Sequence, residues 1–162
     1  MEKSHAWYKF WKIKPNTLKK ILAPFDGSAY SEKAYETALD IAEKFESELI
    51  VMTVIQSKIS DSSGMSLTRM QEIQDEEEDA ATAMLKTLED RAKAKNVSFS
   101  TKIVHNPSSS QAIVDYADGH NVDLVAMGSH GRTGFRKIVL GSVASGVVGH
   151  TKCSVLITNG EK

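Results

Sequence analysis

The residues best suited to chemistry lie in one stretch: Gly128-Ser129-His130-Gly131, then nine residues, then Gly141-Ser142. The run from Asp123 through Leu124, Val125, Ala126 and Met127 before it reads as a buried strand. Val143-Ala144-Ser145-Gly146-Val147-Val148 after it reads as the start of a helix. Three glycines and a serine therefore sit between the carboxyl end of a strand and the amino end of a helix. Glycine lets backbone N–H groups approach an anion with no Cβ in the way. A helix start adds unpaired N–H groups and a partial positive charge. This is chemistry for holding phosphate, at the place where open α/β sheets take their ligands.

Such a cradle needs other strand ends beside it. From Lys19 onward, strand and helix patterns alternate. Ile21 to Phe25 reads as the first strand; Ser28 is a candidate N-cap, and Ala34, Ala38, Ile41, Ala42 and Phe45 recur at helical spacing. Glu48 to Ile55 is a near-continuous apolar strand, and Gln56 to Gly64 a polar loop. Leu67, Met70, Ile73, Ala80, Met84 and Leu88 mark one face of a long helix. Its consecutive acids Asp75 to Asp79 read as a solvated face, because neighbours on a helix point in different directions and cannot jointly chelate a metal. Val97 to Val104 alternates as a strand. Ser108 and Gln111 have capping-box spacing and open a helix through Ile113, Val114 and Ala117 that ends at Gly119 to Asn121. Cys153 to Thr158 is a last short strand.

Five strands separated by four helical segments predict an α/β fold: a single doubly wound parallel sheet, helices on both faces, with right-handed crossovers. In that fold the carboxyl ends of the strands share one edge. Pro24-Phe25-Asp26-Gly27-Ser28, Thr53-Val54-Ile55 and Met127-Gly128 all end strands, so Asp26, Val54 and Gly128 line one crevice. The Asp26 carboxylate can accept from ribose hydroxyls or hold a hydrated metal ion. The main chain near Val54 can bond an adenine edge, and the glycine loop with Ser142 can cradle phosphates.

Composition narrows the class. The chain has 162 residues, 41% hydrophobic and 25% charged, which fits one globular domain over residues 19–162 behind a distinct tail, 1–18. A net charge of -1 gives no global attraction to nucleic acid, and none is expected as a partner. The lone Cys153 rules out an intramolecular disulfide. No apolar run approaches the ~18 residues of a membrane span, the N-terminus lacks the apolar core of a secretory signal, and a cytoplasmic protein is expected. The tail holds Trp7, Tyr8, Phe10 and Trp11 among Lys3, His5, Lys9, Lys12 and Lys14, against the single acid Glu2. Docking on protein is expected of it; a membrane surface is the alternative.

The chain resembles the universal stress protein family over residues 19–158. The residues that carry the resemblance are Gly128, Gly131, Gly141 and Ser142, in the family's spacing of Gly, two residues, Gly, nine residues, Gly and Ser or Thr. Ala23-Pro24-Phe25-Asp26-Gly27-Ser28 with Ser31, and Val125 through Gly134, match as well. The resemblance implies strand order 3-2-1-4-5, homodimerisation, and ATP bound, with magnesium or manganese, without a strong catalytic cycle. Carried over by position, Asp26 serves the ribose or the metal, and Val54 the adenine. Gly128, Gly131, Gly141, Ser142 and Val143 serve ribose and phosphates, with Pro24, Phe25, Met127, His130 and Arg132 flanking them. Two departures stand out. His105-Asn106-Pro107 replaces a frequent Gly-x-Pro, with Asn106 expected to tolerate a left-handed turn, and Ser154 stands where proline is common.

Plainer readings compete at several positions. Asp26 can cap the helix after the first strand instead. His130 can be a general base or a loop histidine beside phosphate; no partner for base chemistry is assignable, and no catalytic residue is named. Arg132 can neutralise phosphate or face solvent, and solvent is the reading for Arg136 and Lys137. Cys153 reads as a buried small hydrophobe, and His5, His105, His120 and His150 lack metal-ligand spacing. The functional expectation is an ATP-binding, nucleotide-dependent stress sensor or regulator that acts on an unknown protein partner, as a homodimer through residues 153–158. The alternatives are a slow ATPase or nucleotidyl-transfer enzyme using the same pocket, and a dimeric interaction module without nucleotide.

Overall fold

The computed structural model describes residues 18–56, 66–132 and 140–159. The readings made for the tail to residue 17, for loop residues 57–64 and for Thr133, Gly134, Arg136 and Lys137 lie outside the described residues. The elements run β1 (Lys20–Pro24), α1 (Ala29–Phe45), β2 (Glu48–Ile55), α2 (Leu67–Ala94), β3 (Phe99–His105), α3 (Ser109–Gly119), β4 (Leu124–Gly128), α4 (Ser142–His150) and β5 (Ser154–Thr158). All five strands pair in parallel, in the order β3-β2-β1-β4-β5.

Alternate residues of each strand feed opposite faces. Ile21, Ala23 and Val51 pack with Tyr35 and Leu39 of α1 and with Leu85 and Leu88 of α2. Leu22, Ile50, Met52 and Val125 pack with Ile113 of α3 and with Ala144 and Val147 of α4. Burial on both faces explains why these strands read as apolar runs rather than alternating ones. The chain winds from β1 outward to β3, then returns to β4 and winds to β5. The reversal falls between β1 and β4, and there the two strands diverge at their carboxyl ends.

Several details differ from expectation. The buried stripe of α2 is Ala81, Leu85, Leu88 and Ala92; Ala80 is exposed and Leu67 is 79% exposed. Glu78 contacts His105, the last residue of β3, so the turns before it overrun the sheet. Only half of the capping box forms. Ser108 Oγ accepts from the Gln111 N–H (3.3 Å), but the Gln111 amide donates to Asp115 Oδ1 (2.7 Å) instead of turning back. The Ser108 N–H donates to Asn106 Oδ1 (2.8 Å), so Asn106 shapes its turn through its side chain. Among the described residues the left-handed non-glycine positions are Glu46, Asn96 and Asn121, and not Asn106. Gly146, costly in helix propensity, is required by packing: a Cβ there would lie 2.7 Å from Ser110 Cβ on α3.

Candidate functional site

The first wall of the crevice is the end of β1. The Phe25 N–H donates to Met52 O (2.8 Å), and the buried Thr53 hydroxyl donates to Phe25 O (3.0 Å). These two bonds hold the turn after Pro24 against β2. Groups on a strand alternate sides, so the main chain of Val54 faces the same way as Met52 O, beyond the last β1–β2 pair. Its side chain packs into the core shared with α3 and α4. Gly27 then turns the chain at φ 78°, where a side chain is strained. Ser28 caps α1, its Oγ accepting from the Ser31 N–H (3.2 Å).

Asp26 is therefore not the helix cap. Its Oδ1 accepts from the Ser28 N–H (3.0 Å) and its Oδ2 from the Arg132 N–H (3.2 Å). Arg132 Nε donates to the Asp26 carbonyl (3.0 Å). The carboxylate thus ties the loop after β1 to the loop after β4 across the switch point. Gly131 makes the approach possible, since a Cβ there would sit 2.9 Å from Asp26 Oδ2.

The second wall is the loop after β4. At Gly128 a Cβ would fall 2.6 Å from Tyr30 Cβ and 2.9 Å from Tyr30 O, so this glycine seats the first turn of α1 on the strand end. Ser129 is buried and works mainly through its backbone: its N–H donates to Thr158 O (2.8 Å) and its carbonyl accepts from the Gly141 N–H (2.8 Å). The second bond fixes the start of α4 beside the loop. His130 Nδ1 lies 3.1 Å from Ser129 Oγ, and its ring tilts against Tyr30 with centroids 5.3 Å apart. Tyr30 and the hydrogen bonds of the strand-end residues Thr53 and Thr158 support the site in roles that have no signal in the sequence. None belongs to a recognisable spacing, and their roles depend on strand ends brought together by the winding.

The third wall is α4. Gly141 is its N-cap in an extended conformation (φ -65°, ψ 163°), with no side-chain hydrogen bond capping the helix. The first N–H groups of such a helix have no intrahelical acceptor. Here they follow Gly141 through the exposed Ser142 and the half-buried Val143. A Cβ on Gly141 would press on Ser129 O (3.2 Å) and His130 Cα (3.4 Å). Asp26, Gly128, His130, Gly131, Arg132 and Gly141 are thus linked by direct contacts or chain neighbours. Val54 shares their edge of the sheet, and Pro24, Phe25 and Met127 lie at the adjoining strand ends. Cys153 precedes β5, half-buried, with Sγ 3.2 Å from Thr151 Oγ1. Among the described residues no group of three or more His, Cys, Asp or Glu could hold a metal ion. No helix among them is long and apolar enough to cross a membrane.

These features define a doubly wound α/β protein with two glycine-containing loops joined at its switch point. The chain belongs to the universal stress protein family, whose family model matches residues 17–159. Universal stress protein MJ0531 of Methanocaldococcus jannaschii is 32% identical over 149 residues, covering 91% of this chain and 85% of that one. The solved structure of hypothetical protein MJ0577 superposes with a TM-score of 0.76 at 25% identity, covering 90% of this chain and 99% of the other. A universal stress protein solved in complex with cAMP gives a TM-score of 0.66 at 25% identity, over 89% and 98% of the two chains.

Proposed function

We propose that this chain binds ATP in the switch-point crevice and acts as a nucleotide-dependent regulator with little or no turnover. The observation that carries the reading is the start of α4. It has a glycine N-cap with no side-chain bond, fixed beside Gly131 by the Gly141–Ser129 hydrogen bond. A helix start that lacks a cap beside a glycine loop is suited to phosphate. The cAMP complex of the relative is in keeping with an adenine nucleotide. In this reading Val54 offers its main chain to the base, and Asp26 faces the ribose. Gly128, Gly131, Gly141, Ser142 and Val143 present N–H groups to the phosphates, with His130 and Arg132 beside them.

The donor set fits a metal brought in by the nucleotide. Magnesium takes one or two carboxylates together with substrate phosphates rather than an all-protein cage. Among the described residues Asp26 is the carboxylate that joins the two loops, and it would hold the ion. When bound, the ion would neutralise phosphate charge. Turnover would need a base within reach of the attacking water. Ser129 is 1% exposed and its hydroxyl lies 3.1 Å from His130 Nδ1, so it offers no nucleophile to a ligand.

Homodimerisation through β5 completes the proposal. β5 is an edge strand of half-buried apolar residues, with no charge in Val155-Leu156-Ile157. Such an edge exposes unpaired backbone groups, and two of them can pair about a two-fold axis. The function is tested by calorimetric titration of the full chain with Mg-ATP, together with an assay for released phosphate. Saturable binding with negligible turnover is expected. Absence of binding would overturn the reading, and steady turnover at ~1 s⁻¹, the rate of a working enzyme, would make it an enzyme.

A further inference from the structure

We infer that the overhanging first half of α2, residues 67–80, is the docking surface for the chain's own N-terminal segment, residues 1–17. At 100° per residue, Leu67 and Met70 continue the arc of Ala81, Leu85, Leu88 and Ala92 beyond the sheet. Leu67 and Met70 thus lie on the core arc where, among the described residues, no strand lies beneath it, with Gln74 and Glu77 between them and Ala81. Leu67 is 79% exposed, and Met70 and Ile73 are only half-buried. Around them stand Glu72, Asp75, Glu76, Glu77, Glu78 and Asp79, against the single base Arg69. Arg69 pairs with Glu72 and His105 with Glu78, while Asp75, Glu76, Glu77 and Asp79 have no ionic partner among the described residues. This half of the helix carries Leu67, Met70 and Ile73 on one side and is strongly acidic around them.

The N-terminal segment is its complement in both respects. It carries Trp7, Tyr8, Phe10 and Trp11 among Lys3, Lys9, Lys12 and Lys14, with one acid, Glu2. It also starts from the right layer. Leu18 packs on the core cluster that holds Leu88 and Ala92 of α2, and its carbonyl accepts from Ser47 Oγ (2.5 Å). From Ala92 to Ile73 and Met70 is ~29 and ~33 Å along the helix, at ~1.5 Å per residue. An extended chain covers up to ~3.5 Å per residue, so Trp11 and Trp7 reach ~25 and ~39 Å from Leu18. Trp7 therefore reaches Ile73 and Met70, while Trp11 reaches the nearer, acidic turns of the overhang. Docking there would cover the apolar residues with rings and set lysines against unpaired carboxylates.

Both tryptophans lie in the segment, so intrinsic fluorescence of the full chain reports on it alone. Blue-shifted emission is expected in lipid-free buffer, independent of protein concentration. Met70→Glu with Ile73→Glu should move it to the maximum of water-exposed indole without changing the far-ultraviolet circular dichroism. Lys9→Glu with Lys12→Glu should do the same, and adding Glu76→Lys with Glu77→Lys should restore the blue shift. Water-exposed emission in the wild type would overturn the inference, as would a blue shift that survives both variants. A shift that appears only with anionic vesicles would assign the segment to membranes instead. A shift that grows with protein concentration would assign it to a second copy.

Discussion

Replacing Gly141 with valine separates the cradle from the rest of the fold. The native φ of -65° is open to any residue, so the substitution strains no dihedral. The obstacle is space: the new Cβ would meet Ser129 O at 3.2 Å and His130 Cα at 3.4 Å. Both are backbone atoms and cannot rotate away. The loop and the start of α4 must part by a few tenths of an ångström, and the two γ carbons of valine add to the crowding. Overpacking of this kind costs about 1–3 kcal/mol of stability. At about 2–4 °C per kcal/mol for a chain of this size, melting falls by roughly 2–12 °C and the protein stays folded. Binding suffers more selectively. Hydrogen bonds to charged groups contribute about 1.5–3 kcal/mol each, so losing one or two phosphate contacts weakens Mg-ATP by about 10- to 10⁴-fold. Adenosine, which has no phosphate, should lose little. Paired calorimetric titrations with Mg-ATP and adenosine on wild type and Gly141→Val read the difference. Unchanged ATP affinity in a folded variant, or equal losses for both ligands, would refute the reasoning.

The two glycines inside α4 should respond with opposite signs. Gly149→Ala meets nothing within 4 Å and should gain up to ~1 kcal/mol of helix propensity, while Gly146→Ala drives a Cβ to 2.7 Å from Ser110 Cβ and should lower the melting temperature; denaturant titration measures both. The dimer proposed through β5 should dissociate with Val155→Pro: Thr158 O faces β4, where it accepts from the Ser129 N–H, so Leu156 faces β4 as well and Val155 presents its N–H to the open edge. Light scattering on the folded variant decides this, and a wild type that is monomeric at high micromolar concentration would contradict the dimer. Tyr35 gives a pH dependence. Burial raises its phenol above the ordinary 10.0, opposed by Arg91, so its contribution is complete below about pH 10 and is lost as pH rises through the folded value. Tyr35→Phe, which leaves the Leu88 carbonyl without its 2.6 Å donor, should cost about 1 kcal/mol at neutral pH and flatten the alkaline limb of a pH series of melting temperatures.

Strand and helix order was legible because each buried strand is a short apolar run between polar punctuation. The glycine spacing was legible because three backbone approaches in one loop leave three residues that tolerate no Cβ. What escaped was set by tertiary contact. The core arc of α2 takes in Leu67 and Met70 as well as Ala81, and only tertiary contact decides that it is buried from Ala81 and open before it. Asp26 reads as a ligand contact with a helix cap as the plainer alternative, and the sequence does not show that Ser28 takes the cap or that Arg132 arrives from a loop 106 residues later. Which main-chain groups of β5 face outward follows from register, which no composition encodes. For that reason Leu156, the centre of the strand by sequence, is the wrong place to test the free edge.

The most direct test of nucleotide binding at the switch point is a nitrogen-15 amide titration of the full chain with Mg-ATP. Binding in the crevice predicts saturable shifts at Val54, Gly128 to Arg132 and Gly141 to Val143, converging on one nucleotide per chain. No shifts at millimolar ATP would contradict it. So would shifts confined to another surface, such as the groove between α2 and β3 lined by Thr82, Lys86, Glu89 and Thr101.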